Sequence, residues 1–339
     1  MPAAYPCNKE FFEGTKGAYG LSVKNILSNG PFTINYIADD GTYITLIRVI
    51  EAKNGIDRIR ISHLTEDKNL YDMYKADEIS GFMSYDQTAS KAEGTTYTFE
   101  NSGVYLTFNP NNETLQNRDI RAAFAYYCYM LENTDVNKDA VKVNGSLFTP
   151  SLTYNSQKLT DAAKASVPSY MNAENGKSLL SQGLGQLGKT KIDTLKVLVP
   201  SDSEYAVIFE HINQLWQKEL GVYLSVEFMP SADINRAVAS GEYDMAFITV
   251  TPNANNPMIF LTPFEEYSAE IKDLIQKANS SNSSGYLSNI SRAQNIVLEQ
   301  AYMVPMCCGT TSYCHKSYFK NVDVNIFVSI VNLKKATVE

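Results

Sequence analysis

An α/β fold built on a parallel sheet is what the sequence predicts, and three features of residues 194–264 predict it. Short apolar runs alternate with amphipathic stretches, each amphipathic stretch ends in glycine, and the last apolar run is nearly continuous. Thr194–Val199 reads as a strand. Phe209, Ile212, Leu215, Trp216 and Leu220 recur at helical spacing, so Ser203–Leu220 is expected to be a helix. Ser201 and Glu204 have the spacing of a capping box at its start, and Gly221 supplies a left-handed stop at its end. Val222, Leu224, Val226 and Phe228 alternate with polar residues, as in a strand with one buried face. A shorter helix around Ile234, Ala237 and Val238 stops at Gly241, and Tyr243–Val250 (YDMAFITV) has the composition of a buried central strand. Strands alternating with helices imply parallel pairing through right-handed crossovers. Ligands in such sheets sit beyond the carboxyl ends of the strands. That place is Thr249–Pro257 (TVTPNANNP), a polar stretch without a charge.

The remaining elements follow in chain order. Asn8–Gly20 reads as a short helix and turn. Phe32–Ala38 and Thr42–Val49 form a hairpin about Asp39–Gly41, and Ile56–Leu64 is a third strand. Glu66–Ala76 is a short helix, and Tyr97–Phe99 and Val104–Phe108 are strands. Asp119–Leu131 is apolar nearly all round, which predicts a deeply packed helix. Asn133–Ser169 lacks periodicity and reads as a long, partly helical connection. Ala173–Gln182 is expected to be a helix, Gly183–Thr190 a loop, Ser268–Ala278 a helix, Asn279–Gly285 an exposed loop and Leu287–Ala301 the last long helix. Tyr302–Tyr313 and Val322–Val331 read as extended.

A chain of 339 residues can bury a large core and suits two lobes. A net charge of −8 argues against a nucleic-acid footprint. Five cysteines are an odd and sparse count, so no disulfide framework is implied. No apolar run has the length of a membrane span, and no signal or lipidation segment opens the sequence.

The motifs that carry chemistry elsewhere fail their context here. Gly183–Thr190 (GLGQLGKT) fits both G-x-x-x-x-G-K-[ST] and G-x-G-x-x-G, but phosphate binding needs a strand before the glycines and a helix after them. The order here is reversed, which favours a helix-to-strand connector. Cys307, Cys308, Cys314 and His315 are zinc-ligand types without the C-x2-C spacing of structural sites. Adjacent cysteines on a strand point to opposite faces, so buried apolar roles are expected for them. His211 falls at the rim of its helix, and no Ser or Cys has a nucleophile-elbow context. Glu242 and Asp244 bracket the wrong end of their strand for the expected site. The reading is therefore a protein that is not an enzyme and needs no cofactor or metal.

Several segments taken together resemble a known family. Ser28–Phe32 (SNGPF) before a hairpin is similar to the opening of a lobe in family 5 of the bacterial extracellular solute-binding proteins, the oligopeptide and dipeptide receptors of ABC importers. Leu115–Ala125 (LQNRDIRAAFA) resembles that family's Arg-bearing helix, with Val104–Asn109 (VYLTFN) as the strand before it. Ala173–Leu180, Leu220–Val222, Gly241–Ala246 (GEYDMA) and Ala301–Pro305 (AYMVP) resemble further family segments in the same order. The resemblance implies a type II periplasmic-binding-protein-like fold with mixed sheets flanked by helices. Lobe one would comprise 1–102 and 305–339, incomplete for want of an amino-terminal part and a lipid anchor, and lobe two 103–304. It also implies capture of an oligopeptide or other small polar solute by hinge closure, outside the cell, for an importer permease.

The site residues that follow are Asn253, Thr251, Asn255, Asn256 and Thr249 on the lobe-two turn, with Tyr105 and Asn109 near the hinge. For each, ordinary turn and strand chemistry is the competing reading. Where peptide receptors carry an Asp for the peptide's α-ammonium, this sequence has Asn253, which can accept a hydrogen bond but supplies no countercharge. A blocked peptide, a sugar or another neutral solute becomes an alternative ligand, and a non-transporting or degenerate binding or adhesion module an alternative role.

Overall fold

The computed structural model describes residues 8–63, 69–85, 88–130, 141–143, 145–201, 205–327 and 329–339. The chain divides into two compact units. Unit 1 comprises Met1–Met83, Thr88–Tyr97 and Tyr313–Glu339, and unit 2 comprises Ser84–Gln87 and Thr98–Ser312.

Unit 1 begins with α1 (Lys9–Gly14), whose first turn is capped by the Asn8 side chain. Strands β1 (Phe32–Ile37), β2 (Tyr43–Arg48) and β3 (Arg58–Ser62) form an antiparallel sheet in that order. The β1–β2 turn is made as its residues dictate. Gly41 takes φ +71°, and the Asp40 carboxylate accepts from the Thr42 amide and hydroxyl, which holds its pKa below the usual carboxylate value. Then come α2 (Leu70–Lys75), capped by Asn69, and β4 (Gly81–Ser84). Tyr74, Phe82, Ala89, Ala92 and Cys314 make the small core of this unit.

Strand β5 (Thr95–Phe108) runs from unit 1 into unit 2. Unit 2 continues with α3 (Arg118–Tyr129), β6 (Val141–Val143), the two-residue strands β7 (Thr153–Tyr154) and β8 (Gln157–Lys158), and the single turn α4 (Leu159–Ala162). The unit then alternates α5 (Gly176–Gln186), β9 (Leu195–Pro200), α6 (Tyr205–Leu215), β10 (Leu224–Met229), α7 (Ser231–Ser240) and β11 (Met245–Val250), followed by α8 (Ala269–Ser280) and α9 (Ser283–Glu299). Strand β12 (Met303–His315) leads back to unit 1, where β13 (Phe319–Lys320), β14 (Asp323–Asn325), β15 (Ser329–Asn332) and β16 (Thr337–Val338) close the chain in two small hairpin-like pairs.

The main sheet has the order β10-β9-β11-β5-β12-β4, with β6 also on β12. β9 is parallel to both β10 and β11, as the alternation predicts, whereas β5 is antiparallel to β11. The sheet is therefore mixed, because β5 enters unit 2 directly from unit 1 rather than through a helical crossover. Gly221 (φ +66°) and Gly241 (φ +76°) end α6 and α7 in the left-handed conformation expected of them. The last turn of the α6 segment, Trp216–Leu220, is wound as a π-helix. The capping box at Ser201–Glu204 lies partly outside the described residues.

The core of unit 2 is organised around α3. Its buried face runs from Asp119 to Cys128, and Phe124 meets the fully buried Trp216 edge to face at 5.1 Å. Trp216 Nε1 donates to the Phe124 carbonyl at 3.1 Å. Helix α5 packs on α3 through two glycines. A Cβ on Gly176 would come within 2.4 Å of Tyr127, and one on Gly183 within 2.6 Å of Ile120 and 2.7 Å of Asn117 Oδ1. Residues 183–186, expected in a loop, therefore lie in the last turn of a helix whose close approach requires those glycines. The segment 279–285 is likewise mostly helical, with only Ser281 and Asn282 between α8 and α9.

Two arginines of α3 hold the end of α9. Arg118 Nε donates to the Glu299 carbonyl, and Arg121 donates to the Gln300 carbonyl through Nε (3.2 Å) and Nη2 (2.8 Å). Arg121 Nη1 also reaches the Leu115 and Gln116 carbonyls, at 2.7 and 2.8 Å. A cation thus satisfies carbonyls that a helix terminus leaves unpaired.

Candidate functional site

The turn after β11 is positioned from below and from the side. Pro252 and Pro257 are buried and anchor its two ends. Asn256 caps the 3-10 turn Pro257–Phe260, its Oδ1 accepting from Met258 N at 3.0 Å. Beneath that turn lies the ring of Tyr105, fully buried, 5.7 Å from Phe260, with its hydroxyl donating to the Leu147 carbonyl at 2.7 Å. The ring lies across Gly103, where a Cβ would come within 2.1 Å of it. Tyr105 thus supports the turn from inside the core.

From the side, Asn255 fastens the turn to a hairpin. Its Oδ1 accepts from Thr153 N at 2.9 Å and its Nδ2 donates to Thr153 Oγ1 at 3.1 Å. The hairpin β7–β8 turns over Asn155 and Ser156, both at positive φ (48° and 65°), the geometry of a type I′ turn. Tyr154 stacks on Tyr286 of α9, centroids 4.8 Å apart and planes 17° apart. Burial, and then the neighbouring Tyr154, raise the Tyr286 phenol above its ordinary pKa. This hairpin falls in the stretch expected to be a long, partly helical connection. Two-residue strands carry no periodicity, and the only local signal is the Asn-Ser pair at 155–156.

Of the seven residues singled out from the sequence, five share this turn. Thr251 and Asn253 are exposed at its crest, and Thr249 is half-buried in β11, opposite Val104 of β5. Asn255 and Asn256 are exposed but spend their amides on Thr153 and Met258. Between Thr249 and Pro257 there is no ionisable side chain, so this surface offers hydroxyls, amides and backbone groups to a ligand but no countercharge.

Asn109 is placed elsewhere. It stands at the opposite end of β11, about 20 Å from the turn by the rise of six strand residues. There its amide N bonds the Asp244 carbonyl, and its Nδ2 donates to the carbonyls of Gly241 (3.0 Å) and Tyr243 (2.5 Å). Asp244 completes this junction, accepting from Lys196 N at 2.7 Å and Asn112 Nδ2 at 2.8 Å. The groups line an open recess of about 420 Å³ with Glu242 and Lys196. Asn109 and Asp244 clip β5, β9 and β11 together.

The other candidate motifs are absorbed into packing. Lys189 of the glycine-rich stretch donates to Thr114 Oγ1 at 2.8 Å, and its backbone N bonds Leu184 O within a helix-to-strand connection. Cys307 belongs to the core of unit 2, where burial raises its thiol pKa, and Cys314 to the core of unit 1. His315, also buried, packs among Tyr97, Tyr313 and Phe319. Among the described residues no helix is long and apolar enough to cross a membrane.

Comparison with solved structures returns the same fold. The substrate-binding domain of an oligopeptide ABC transporter from Bacillus anthracis superposes with TM-score 0.73 at 19% identity, covering 100% of this chain and 70% of its own. OppA of Listeria monocytogenes bound to peptide gives 0.72 at 21%, with the same coverage, and the murein tripeptide binding protein MppA of Escherichia coli gives 0.71 at 18%, covering 98% and 68%. The fold is type II periplasmic-binding-protein-like. No curated protein sequence matches. The profile of the middle part of the bacterial extracellular solute-binding proteins, family 5, matches residues 1–270, and with the sheet, the turn and the Arg-bearing helix in place, this chain belongs to that family.

Proposed function

We propose that this chain captures an oligopeptide or a similar polar solute outside the cell and delivers it to the permease of an ABC importer, without catalysis. One observation carries the reading: Thr251 and Asn253 stand exposed beyond the carboxyl end of β11, on a turn braced by Tyr105, Asn255 and the β7–β8 hairpin. A braced loop presenting free polar groups at that position is suited to ligand binding, since such loops carry function on rigid scaffolds. The similar structures from Listeria and Escherichia coli are described as peptide-bound and as a tripeptide-binding protein, which supports a peptide-like ligand. Thr251 and Asn253 contact the ligand, Thr249 lends backbone groups, and Asn255, Asn256 and Tyr105 hold the turn.

The missing countercharge favours a second reading of the ligand. A free α-ammonium placed against Asn253 would gain a neutral hydrogen bond, roughly half the strength of a charge-assisted one. A peptide with a blocked amino end, or another neutral polar solute, fits this turn better than a free-amine peptide. Native mass spectrometry of the gently purified protein tests both readings. Adducts at a spread of peptide masses support peptide capture, and a single non-peptide adduct supports a neutral solute. Bare protein that also gains no adduct from a mixed peptide library would refute capture by this chain.

A further inference from the structure

The turn after β11 has no charge of its own, but the hairpin fastened to it brings one. Alternation divides the β7–β8 hairpin into two faces. Tyr154 and its cross-strand partner Gln157 share one face, and Tyr154 there stacks on Tyr286 of α9. Thr153 and its partner Lys158 share the other, where the Thr153 hydroxyl accepts from Asn255 Nδ2. Leu159 N donates to the Leu152 carbonyl at 2.8 Å, the next bonded pair along the ladder, so Thr153 and Lys158 form the non-hydrogen-bonded pair between it and the hairpin turn. Side chains stand closest in such pairs, with Cα atoms about 4.5 Å apart. The Lys158 side chain thus starts beside Thr153, on the hairpin face that meets the β11 turn. The fold makes no use of its ammonium. Lys158 is exposed, no carboxylate pairs with it among the described residues, and at the start of α4 it makes no side-chain cap bond. The backbone beneath it is held in place, because Asn155 and Ser156 set the two-residue turn and two bonds tie Thr153 to Asn255. A flexible four-carbon stem on a held backbone suits a cation whose partner arrives with the ligand.

We infer that Lys158 is the charged end of the binding surface and that the ligand is a polar solute bearing a carboxylate, which Lys158 receives while Thr251 and Asn253 bond its uncharged part. This ligand class rests on the reading of the β11 turn as the ligand surface. Asn253 and Asn255 are at most about 7 Å apart along the chain. Thr153, bonded to Asn255, stands next to Lys158, so the crest of the turn and the ammonium are separated by roughly 10 Å, the length of about three extended residues. An amino-blocked peptide of that length keeps its terminal carboxylate for Lys158 and sets no ammonium against the uncharged Asn253.

Competition between two peptide pools tests the inference. Both are random short peptides with acetylated amino ends, one pool with free carboxyl ends and the other amidated and carrying a deuterated acetyl group. They are offered together to the 339-residue protein, and the peptides that stay bound are released and counted by mass spectrometry. The protein is expected to take the free-carboxyl pool over the amidated one by about tenfold, the worth of one hydrogen bond to a charged group. Lys158→Met should abolish that preference while keeping capture of the amidated pool, and Lys158→Arg should retain the preference. Equal capture of the two pools by the parent, or an undiminished preference in Lys158→Met, would overturn the inference and leave peptide capture standing. Capture of neither pool by the parent would refute the capture reading itself, and this ligand class with it.

Discussion

Gly183 and Gly185 lie on the same turn of α5 and are expected to answer the same substitution with opposite signs. In each, Gly→Ala improves helix propensity by about 1 kcal/mol. At Gly185 a Cβ meets nothing within 4 Å, so Gly185→Ala should stabilise by up to about that amount. At Gly183 the new Cβ would stand 2.6 Å from Ile120 Cγ1, 2.7 Å from Asn117 Oδ1 and 3.0 Å from Ile120 N. Two of those three atoms cannot move without moving α3, because Asn117 Oδ1 is its cap, accepting from Asp119 N and Ile120 N. Overpacking of this kind costs about 1–3 kcal/mol, and a loosened cap about 1 kcal/mol more. Net of the propensity gain, Gly183→Ala should destabilise by about 1–3 kcal/mol. At 2–4 °C per kcal/mol for a unit of this size, the two variants should melt on the order of 5–15 °C apart. Trp216 is the only tryptophan, fully buried against Phe124, so its fluorescence reports the unit that contains both glycines. A Gly183→Ala protein that melts at or above the parent would show that the α3–α5 contact does not require Gly183, and a Gly185→Ala protein that melts below it would refute the open space beside Gly185.

Arg121→Met, which keeps bulk but removes four hydrogen bonds, should cost about 3–5 kcal/mol in urea unfolding, because buried carbonyls are left unpaired; Arg121→Lys should recover only part of that, since an ammonium cannot reproduce the fork. Asn253→Asp should raise affinity for free-amine peptides by about tenfold, the worth of one charge-assisted bond; calorimetry showing no change would remove Asn253 from the ligand contact. Burial pushes the phenols of Tyr243 and Tyr313 up to about 12. A raised folded-state value means that stability is intact below the unfolded value of about 10 and is lost as pH climbs towards 12. Alkaline melting curves should therefore fall over that window, and Tyr243→Phe or Tyr313→Phe should flatten the fall while leaving stability at pH 7 to 9 with no new slope. ATP and magnesium should leave the proteolysis pattern around Gly183–Lys189 unchanged, because that stretch serves the α3–α5 contact.

What the sequence by itself determined is the local grammar of unit 2. The alternation from Leu195 to Val250 set the order β9, α6, β10, α7, β11, and Gly221 and Gly241 set two helix ends, because each of these signals is complete within a few residues. The same grammar placed the uncharged turn beyond β11. Only the tertiary structure decided which of its amides are free. Asn255 is occupied by Thr153, 102 residues away, and Asn109 by carbonyls 132 and 134 residues away, and no local pattern encodes a partner at that separation. Gly183 reads as phosphate-loop or flexible-loop chemistry until α3 is set against it. The bulge in β1 also needed the structure, because a shift of one residue in pairing moves Ile37 between the faces of the sheet while the sequence stays the same.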